Sequence, residues 1–334
     1  MFATYYNARE LGFGELQELA AATASSNDNG PKLFLVQMDV RHRASIDVAA
    51  TEVERLLKKH QIELYSVISN AGIVGDVSLE FCPTENIVKT IETNFMGTVL
   101  VCRRFMEPII RSKGRIIIVS SVFYNLITPY QQIYSATKAA LKSFSDSLHE
   151  GLKSYGASCR CVCPGDFCNQ SNIVLANAKY YRDAISQLSD EDRELYKKNI
   201  YENGNFIDKQ VKLRLDFTKH TKEDPEELLA VYGLEKPDEN SGFMFTRFSR
   251  LMDRLIWPLM GHDSRRNKKK LDEGELSNLK AFDDALFLRN PPQRLFAGGG
   301  LYPHITAPLI AEYSPQVVLS FLYKVFEKSY RGRA

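Results

Sequence analysis

Short apolar runs alternate with stretches of helical period over the first half of the chain. This pattern predicts strands at 2–6, 33–38, 64–69, 115–119 and 158–163, and helices at 10–22, 44–59, 85–111 and 134–155. The strand runs are nearly continuous in apolar residues, as expected when helices cover both faces of a sheet. Strands separated by helices of this length argue βαβ units and a parallel sheet. The second half reads differently. Residues 166–235 are polar and helical in pattern, and 236–275 mix Phe and Leu with Arg and Lys. A helix at 272–287 precedes a last strand at 294–298, and the tail from Ala307 holds an apolar stretch at 317–326. The expected class is α/β, a doubly wound parallel sheet.

Composition narrows this little. Of 334 residues, 44% are hydrophobic, ordinary for a globular protein. A formal net charge of +2 gives no reason to expect a nucleic-acid partner. No run of 18 apolar residues is present to predict a membrane span, and the N-terminus lacks the pattern of a signal peptide. Six cysteines occur, and Cys159, Cys161 and Cys163 alternate along one predicted strand. A metal site would need a companion CxxC or paired histidines, which are absent, so no metal is expected and small core residues are the better reading. Cysteine usage fits a reducing compartment.

The candidate chemistry lies at strand ends. Asp39, Asn70-Ala71-Gly72, Ser120-Ser121 and Pro164-Gly165 follow four predicted strands. In an open parallel sheet, ligands bind beyond the carboxyl ends of the strands. Tyr134 and Lys138 sit four apart at the start of a predicted helix, about one turn apart on one face. A nearby positive charge favours tyrosinate over the free phenol, whose pKa is about 10. Such a pair can act as a general acid/base. Each residue also has a plain structural reading. Asn94 could bond its own helix backbone, Asp39 could cap the following helix, and Ser120 could replace Ser121.

Together, Asn70-Ala71-Gly72, Asn94 in Asn94-Phe95-Met96-Gly97, Ser121, Tyr134-x-x-x-Lys138 and Pro164-Gly165 make the chain resemble the short-chain dehydrogenase/reductase family. Ser121 precedes Tyr134 by thirteen residues, the family's usual interval. The resemblance covers 2–164 well and the remainder loosely. It implies a Rossmann-like sheet and a single domain over 1–334. Within it, 1–165 would bind cofactor and catalyse, 166–275 would form a substrate lid, and 276–334 would hold the last helix, strand and tail. It also implies roles. Tyr134 would be the general acid/base, and Lys138 would depress its pKa and hold the nicotinamide ribose. Ser121 would bond the substrate oxygen, and Asn94 would fix a water in a proton relay. Asn70, Ala71, Gly72, Pro164 and Gly165 would line the cofactor crevice, with Asp39 and Val40 at the adenine. The cofactor supplies the hydride, and the protein supplies orientation and proton transfer.

Within the family, four segments look like the branch of D-β-hydroxybutyrate, retinol and 17β-hydroxysteroid dehydrogenases. They are Phe2-Ala3-Thr4, Phe144-Ser145-Asp146-Ser147-Leu148, Pro164-Gly165-Asp166-Phe167 and Arg294-Leu295-Phe296. This implies an NAD(P)-dependent oxidoreductase acting on a secondary alcohol or ketone, with the 3-hydroxybutyrate type first and retinol or steroid next. The branch points to NAD over NADP. The residues themselves do not decide, because Tyr5-Tyr6-Asn7-Ala8-Arg9 offers no acidic residue for a ribose 2′-hydroxyl. A homo-oligomer is implied as well, in an intracellular setting that includes mitochondrial or endoplasmic-reticulum membrane surfaces.

One family motif is absent. Thr-Gly-x-x-x-Gly-x-Gly should follow the first strand and place a pyrophosphate at a helix N-terminus. Gly12-Phe13-Gly14 resembles it superficially but lacks the preceding Thr-Gly. The chain therefore reads as starting at the family's second strand, short of roughly 30 residues, about one β-α unit. In the family's order the missing strand is central, between the strands at 2–6 and 64–69. An incomplete chain, a partner supplying the strand, and a degenerate non-catalytic relative all account for this. The competing class is thus a binding or scaffold protein on the same fold. Residues 243–260 and the tail, which mix apolar residues with Lys and Arg, suit either a membrane surface or a lid and dimer contact.

Overall fold

The computed structural model describes residues 1–8, 13–25, 32–125, 130–165, 171–219, 223–237, 281–288, 291 and 293–297. Sequence expectations on Arg9, Gly12, Asp166, Phe167, Cys168, 243–260 and the tail from Ala307 lie outside these residues. In chain order the elements begin with β1 (Phe2–Tyr5), α1 (Phe13–Ser25), β2 (Phe34–Gln37), α2 (Arg43–His60) and β3 (Ser66–Ser69). There follow α3 (Thr84–Ile91), α4 (Gly97–Arg111), β4 (Arg115–Val119), α5 (Gln132–Lys153) and β5 (Ser158–Pro164). The second half supplies α6 (Ile173–Ser186), α7 (Asp190–Leu195), α8 (Lys197–Thr218), α9 (Pro225–Val231), a helical stretch at 281–287 (α10) and β6 (Arg294–Ala297).

The α/β class and the parallel strands match the periodicity. β4 is buried at every position, and β5 nearly so, as the apolar runs predict. Alternation sorts their side chains between two layers. Ile116, Ile118 and Cys159 pack with α4 and α5, whereas Ile117 and Val162 pack against Ala281 and Ala285 of α10. Cys159, Cys161 and Cys163 are fully buried in this strand.

The strands form two parallel sheets. β1 pairs with β2, Phe2 opposite Phe34, and the other sheet runs β3-β4-β5-β6. Among the described residues, β1 has no second neighbour and β3 pairs only with β4. The break falls where the family's order puts its central strand. Its mark is Ile68, which stays 43% exposed in the middle of β3. A shared layer still joins the sheets. Phe2 and Val67 pack on the cluster of Val36, Ile46, Val53, Val101 and Phe105 that α2 and α4 build.

The helix expected at 85–111 is divided. Between α3 and α4 the chain makes one widened π turn over Glu92–Met96, a feature found mostly at functional sites. The turn ends at Gly97, where a Cβ would lie 2.8 Å from Val40 Cγ2 and 3.0 Å from the Val40 carbonyl oxygen. The carbonyl cannot give way. Gly97→Ala is therefore expected to lower stability by about 1–3 kcal/mol, read from urea denaturation.

The helices α6, α8 and α9 form a separate small core from Val174, Leu175, Ile207, Val211, Leu228 and Leu229. Asp224 caps α9 through the Glu226 N–H at 2.8 Å, with Pro225 in the first turn, as helix-start chemistry predicts.

Candidate active site

The carboxyl ends of β3, β4 and β5 converge on the first turns of α5. Ser121 is extended just beyond β4, is 5% exposed, and accepts a hydrogen bond from the Phe123 N–H at 3.3 Å. Its neighbour Ser120 is committed to the scaffold, because its hydroxyl donates to the Lys138 carbonyl at 2.8 Å. Tyr134 and Lys138 lie on the buried face of α5, one turn apart as spaced in sequence. The Lys138 ammonium sits 5.4 Å from the centroid of the Tyr134 ring. The ring of Phe123 meets Tyr134 edge-on at 6.2 Å between centroids.

Lys138 is the electrostatic centre of the site. It is 4% exposed, and burial pushes its ammonium down to about 8, partly opposed by the Cys161 and Cys163 thiols. Nζ donates to the Val119 carbonyl oxygen at 3.1 Å. An ammonium has three donors, and among the described residues Nζ has this one acceptor. Gly72 borders the same space, since a Cβ there would approach Lys138 Nζ to 3.4 Å and Asn94 Oδ1 to 3.5 Å.

Asn94 sits in the π turn and is fully buried. Its side chain grips Ile73 from both sides, accepting from the Ile73 N–H at 2.8 Å and donating to its carbonyl at 2.9 Å. The same amide donates to Thr137 Oγ1 at 3.1 Å. Asn94 thus ties the segment after Gly72 to the helix of Tyr134 and Lys138. It does so through tertiary partners, whereas the plain sequence reading had it bonding its own helix.

Asp39 and Val40 lie at the far end of this edge, after β2. Asp39 accepts from the Arg41 N–H at 3.0 Å, and both its oxygens are engaged by the Arg41 guanidinium, at 3.1 and 2.7 Å. Those hydrogen bonds hold the carboxyl below its usual range. Its side chain does not cap α2, whose N-cap is His42. Arg41 also lies over the Tyr6 ring at 5.5 Å. Asn70 and Ala71 are exposed beyond β3, while Pro164, which ends β5, and Gly165 after it are half-buried.

Arg41 and Asp76 are site-edge residues that the sequence reading did not pick out. Asp76 is fully buried behind Tyr134 and accepts its backbone N–H at 3.1 Å. No motif marks either residue. Only the fold brings Asp76 to a position 58 residues further along the chain.

A family description for short chain dehydrogenase matches residues 8–176, just over half of the 334 residues. The chain belongs to the short-chain dehydrogenase family. Among curated relatives, the 3β-hydroxysteroid dehydrogenase dhs-16 of Caenorhabditis elegans is 29% identical over 172 residues, covering 50% of this chain and 44% of that protein. The mitochondrial D-β-hydroxybutyrate dehydrogenase of Rattus norvegicus is 27% identical over 166 residues, 48% of each. Estradiol 17-beta-dehydrogenase 2 of the same species is 31% identical over 176 residues, 52% of this chain and 43% of its own. The chain thus spans about half the length of the curated relatives it matches. The family match at residues 8–176 includes Asn94, Ser121, Tyr134 and Lys138.

Proposed function

We propose that this protein interconverts a secondary alcohol and a ketone with a nicotinamide cofactor. The observation that carries the reading is the buried grouping of Ser121, Tyr134 and Lys138 at the ends of β4 and α5. In this reading Tyr134 exchanges a proton with the substrate oxygen, which Ser121 holds by its hydroxyl. Lys138, kept close to the Tyr134 ring, favours the tyrosinate and meets the nicotinamide ribose. Asn94 orders a water for proton relay. When bound, the nicotinamide supplies or accepts the hydride.

The residues present suit the nicotinamide-ribose half of a dinucleotide. Lys138 Nζ, with one acceptor among the described residues, suits ribose hydroxyls, and Gly72 lies against it without a side chain. Asn70, Ala71, Pro164 and Gly165 line the same edge, and Asp39 and Val40 are assigned to the adenine end. The pyrophosphate half is not matched, because no Thr-Gly-x-x-x-Gly-x-Gly occurs in the chain. NAD is favoured over NADP on one further ground. Arg41, beside Tyr6 at the end of β1, already carries Asp39 as counter-ion and offers less to a 2′-phosphate.

The substrate assigned first is a short 3-hydroxy acid of the 3-hydroxybutyrate type, with retinol or a steroid next, in keeping with the named relatives. Residues 166–275 are assigned as its lid, of which 171–219 and 223–237 are described. A homo-oligomer is proposed, located inside the cell with mitochondrial or endoplasmic-reticulum membrane surfaces as candidate sites. Among the described residues, no helix is long and apolar enough to cross a membrane. A second reading, a non-catalytic scaffold on the same fold, is favoured by the edges of β1 and β3 that have no partner among the described residues.

NAD(P)H formation with 3-hydroxybutyrate, retinol and a hydroxysteroid tests the assignment. Ser121→Ala is expected to cost about a hundredfold in kcat, the scale for losing one oxyanion-type donor. Ser120→Ala should lower stability by about 1 kcal/mol, for one buried hydrogen bond, with a far smaller loss of turnover. Equal turnover by Ser121→Ala and the unaltered protein would remove Ser121 from the reaction, whereas no turnover with any of the three substrates would argue for the scaffold.

A further inference from the structure

The first turn of α5 carries Tyr134, and its backbone N–H groups have no partners within the helix. The N-cap residue Gln131 makes no side-chain cap. The missing acceptor comes from another part of the chain. Asp76 Oδ2 accepts from the Ile133 N–H at 2.9 Å and from the Tyr134 N–H at 3.1 Å. A carboxylate here also meets the positive end of the helix dipole. Burial pushes the Asp76 carboxyl up to about 6, against the pull of these hydrogen bonds, so the group is still mainly ionised at pH 7.

The segment bearing Asp76 is itself held on several sides. Asn94 grips Ile73. Asn177 of α6 donates to the carbonyls of Val74 at 3.2 Å and Asp76 at 2.9 Å. Asn203 of α8 accepts from the Ser78 N–H at 3.1 Å. At Gly75 a Cβ would fall 2.6 Å from Thr90 Oγ1, so backbone and α3 touch directly. Asp76, Asn94, Asn177 and Asn203 are all at most 3% exposed. A fully buried carboxylate is costly to keep, and among the described residues only its Oδ2 has a hydrogen-bond partner from another residue. Stability alone does not account for such a choice.

We propose that Asp76 is a positioning residue for Tyr134, a rigid brace that fixes the first turn of α5 and ties it to α6 and α8. It touches backbone only and exchanges no proton with substrate. The proposal rests on Tyr134 being the acid/base, yet its structural half can be read without turnover. A misplaced catalytic group lowers kcat more than substrate binding.

Residue-resolved hydrogen exchange on the full chain, paired with kinetics on the active protein, tests this. Asp76→Ala should accelerate exchange of the Ile133 and Tyr134 amides about tenfold or more, and leave the later turns of α5 unchanged. In the same variant kcat should fall about tenfold with KM for the alcohol little changed. Asp76→Asn should restore both, because its amide oxygen accepts the same two N–H groups. Unchanged exchange in Asp76→Ala, or an Asn variant as impaired as Ala, overturns the proposal. If Asp76→Ala does not fold, Asn177→Ala replaces it, and unchanged exchange at Ile133 and Tyr134 there is equally decisive against it. Absent turnover, or turnover indifferent to Tyr134→Phe, would instead overturn the proposed function, and exchange alone would then judge the brace.

Discussion

Replacing Tyr134 by Phe is expected to lower alcohol turnover by about a thousandfold, mid-range for loss of a general acid/base. The substitution keeps the ring that packs edge-on to Phe123 and beneath the Lys138 ammonium. Stability and cofactor affinity should therefore be little changed, which separates a chemical loss from a folding loss. Tyr134 is 9% exposed on the face of α5 that carries Lys138. Steady-state kinetics beside thermal denaturation decide the matter. Turnover within threefold of the unaltered protein would remove Tyr134 from the reaction.

The second large effect concerns stability, and its sign is opposite to that of most core substitutions. Lys138→Met is expected to stabilise the protein by about 2 kcal/mol at pH 7. A shift from 10.5 to about 8 marks an ammonium that folding strips of water. Each unit corresponds to about 1.4 kcal/mol, and loss of the donor to the Val119 carbonyl offsets part of the gain. The pH dependence follows from the same shift. Below pH 8 both folded and unfolded chains carry the proton, and the cost of burying the charge is present in full. Between about 8 and 10.5 only the unfolded chain holds it, so stability of the unaltered protein rises with pH across that window. Lys138→Met should lack that rise. Urea denaturation from pH 7 to 10 measures it, and parallel curves for the two proteins would refute the assignment. A buried cation kept at such cost is the pattern of a site that sacrifices stability for function.

Local features were legible because their information is local. The run Ile116-Ile117-Ile118-Val119 could only be a doubly covered strand, and β4 is one. The one-turn spacing of Tyr134 and Lys138 survives intact, since helix geometry fixes it. The helix expected at 85–111 shows where this fails. Its periodicity is continuous, yet the chain widens into a π turn at Asn94, next to Ile73 and just before Gly97 meets Val40. Those partners are remote in sequence, and no repeat of 3.6 contains them. Asp39 shows a subtler gap. Its place after β2 was predictable, but not its engagement by Arg41, which depends on a side chain folding back in a turn.

By itself the sequence determined the α/β class, the parallel strands, the family and the one-turn spacing of Tyr134 and Lys138. All of these rest on period, spacing and short motifs. The missing glycine-rich turn also pointed to a gap between the first and third strands, and the described strands do fall into two sheets there. Only the tertiary structure showed that Asn94 is a latch on Ile73 and that Asp76 supplies the acceptor α5 lacks. A backbone N–H records nothing in sequence about its acceptor. The need to satisfy it once water is excluded brings a carboxylate from a loop 58 residues away to the turn that holds Tyr134.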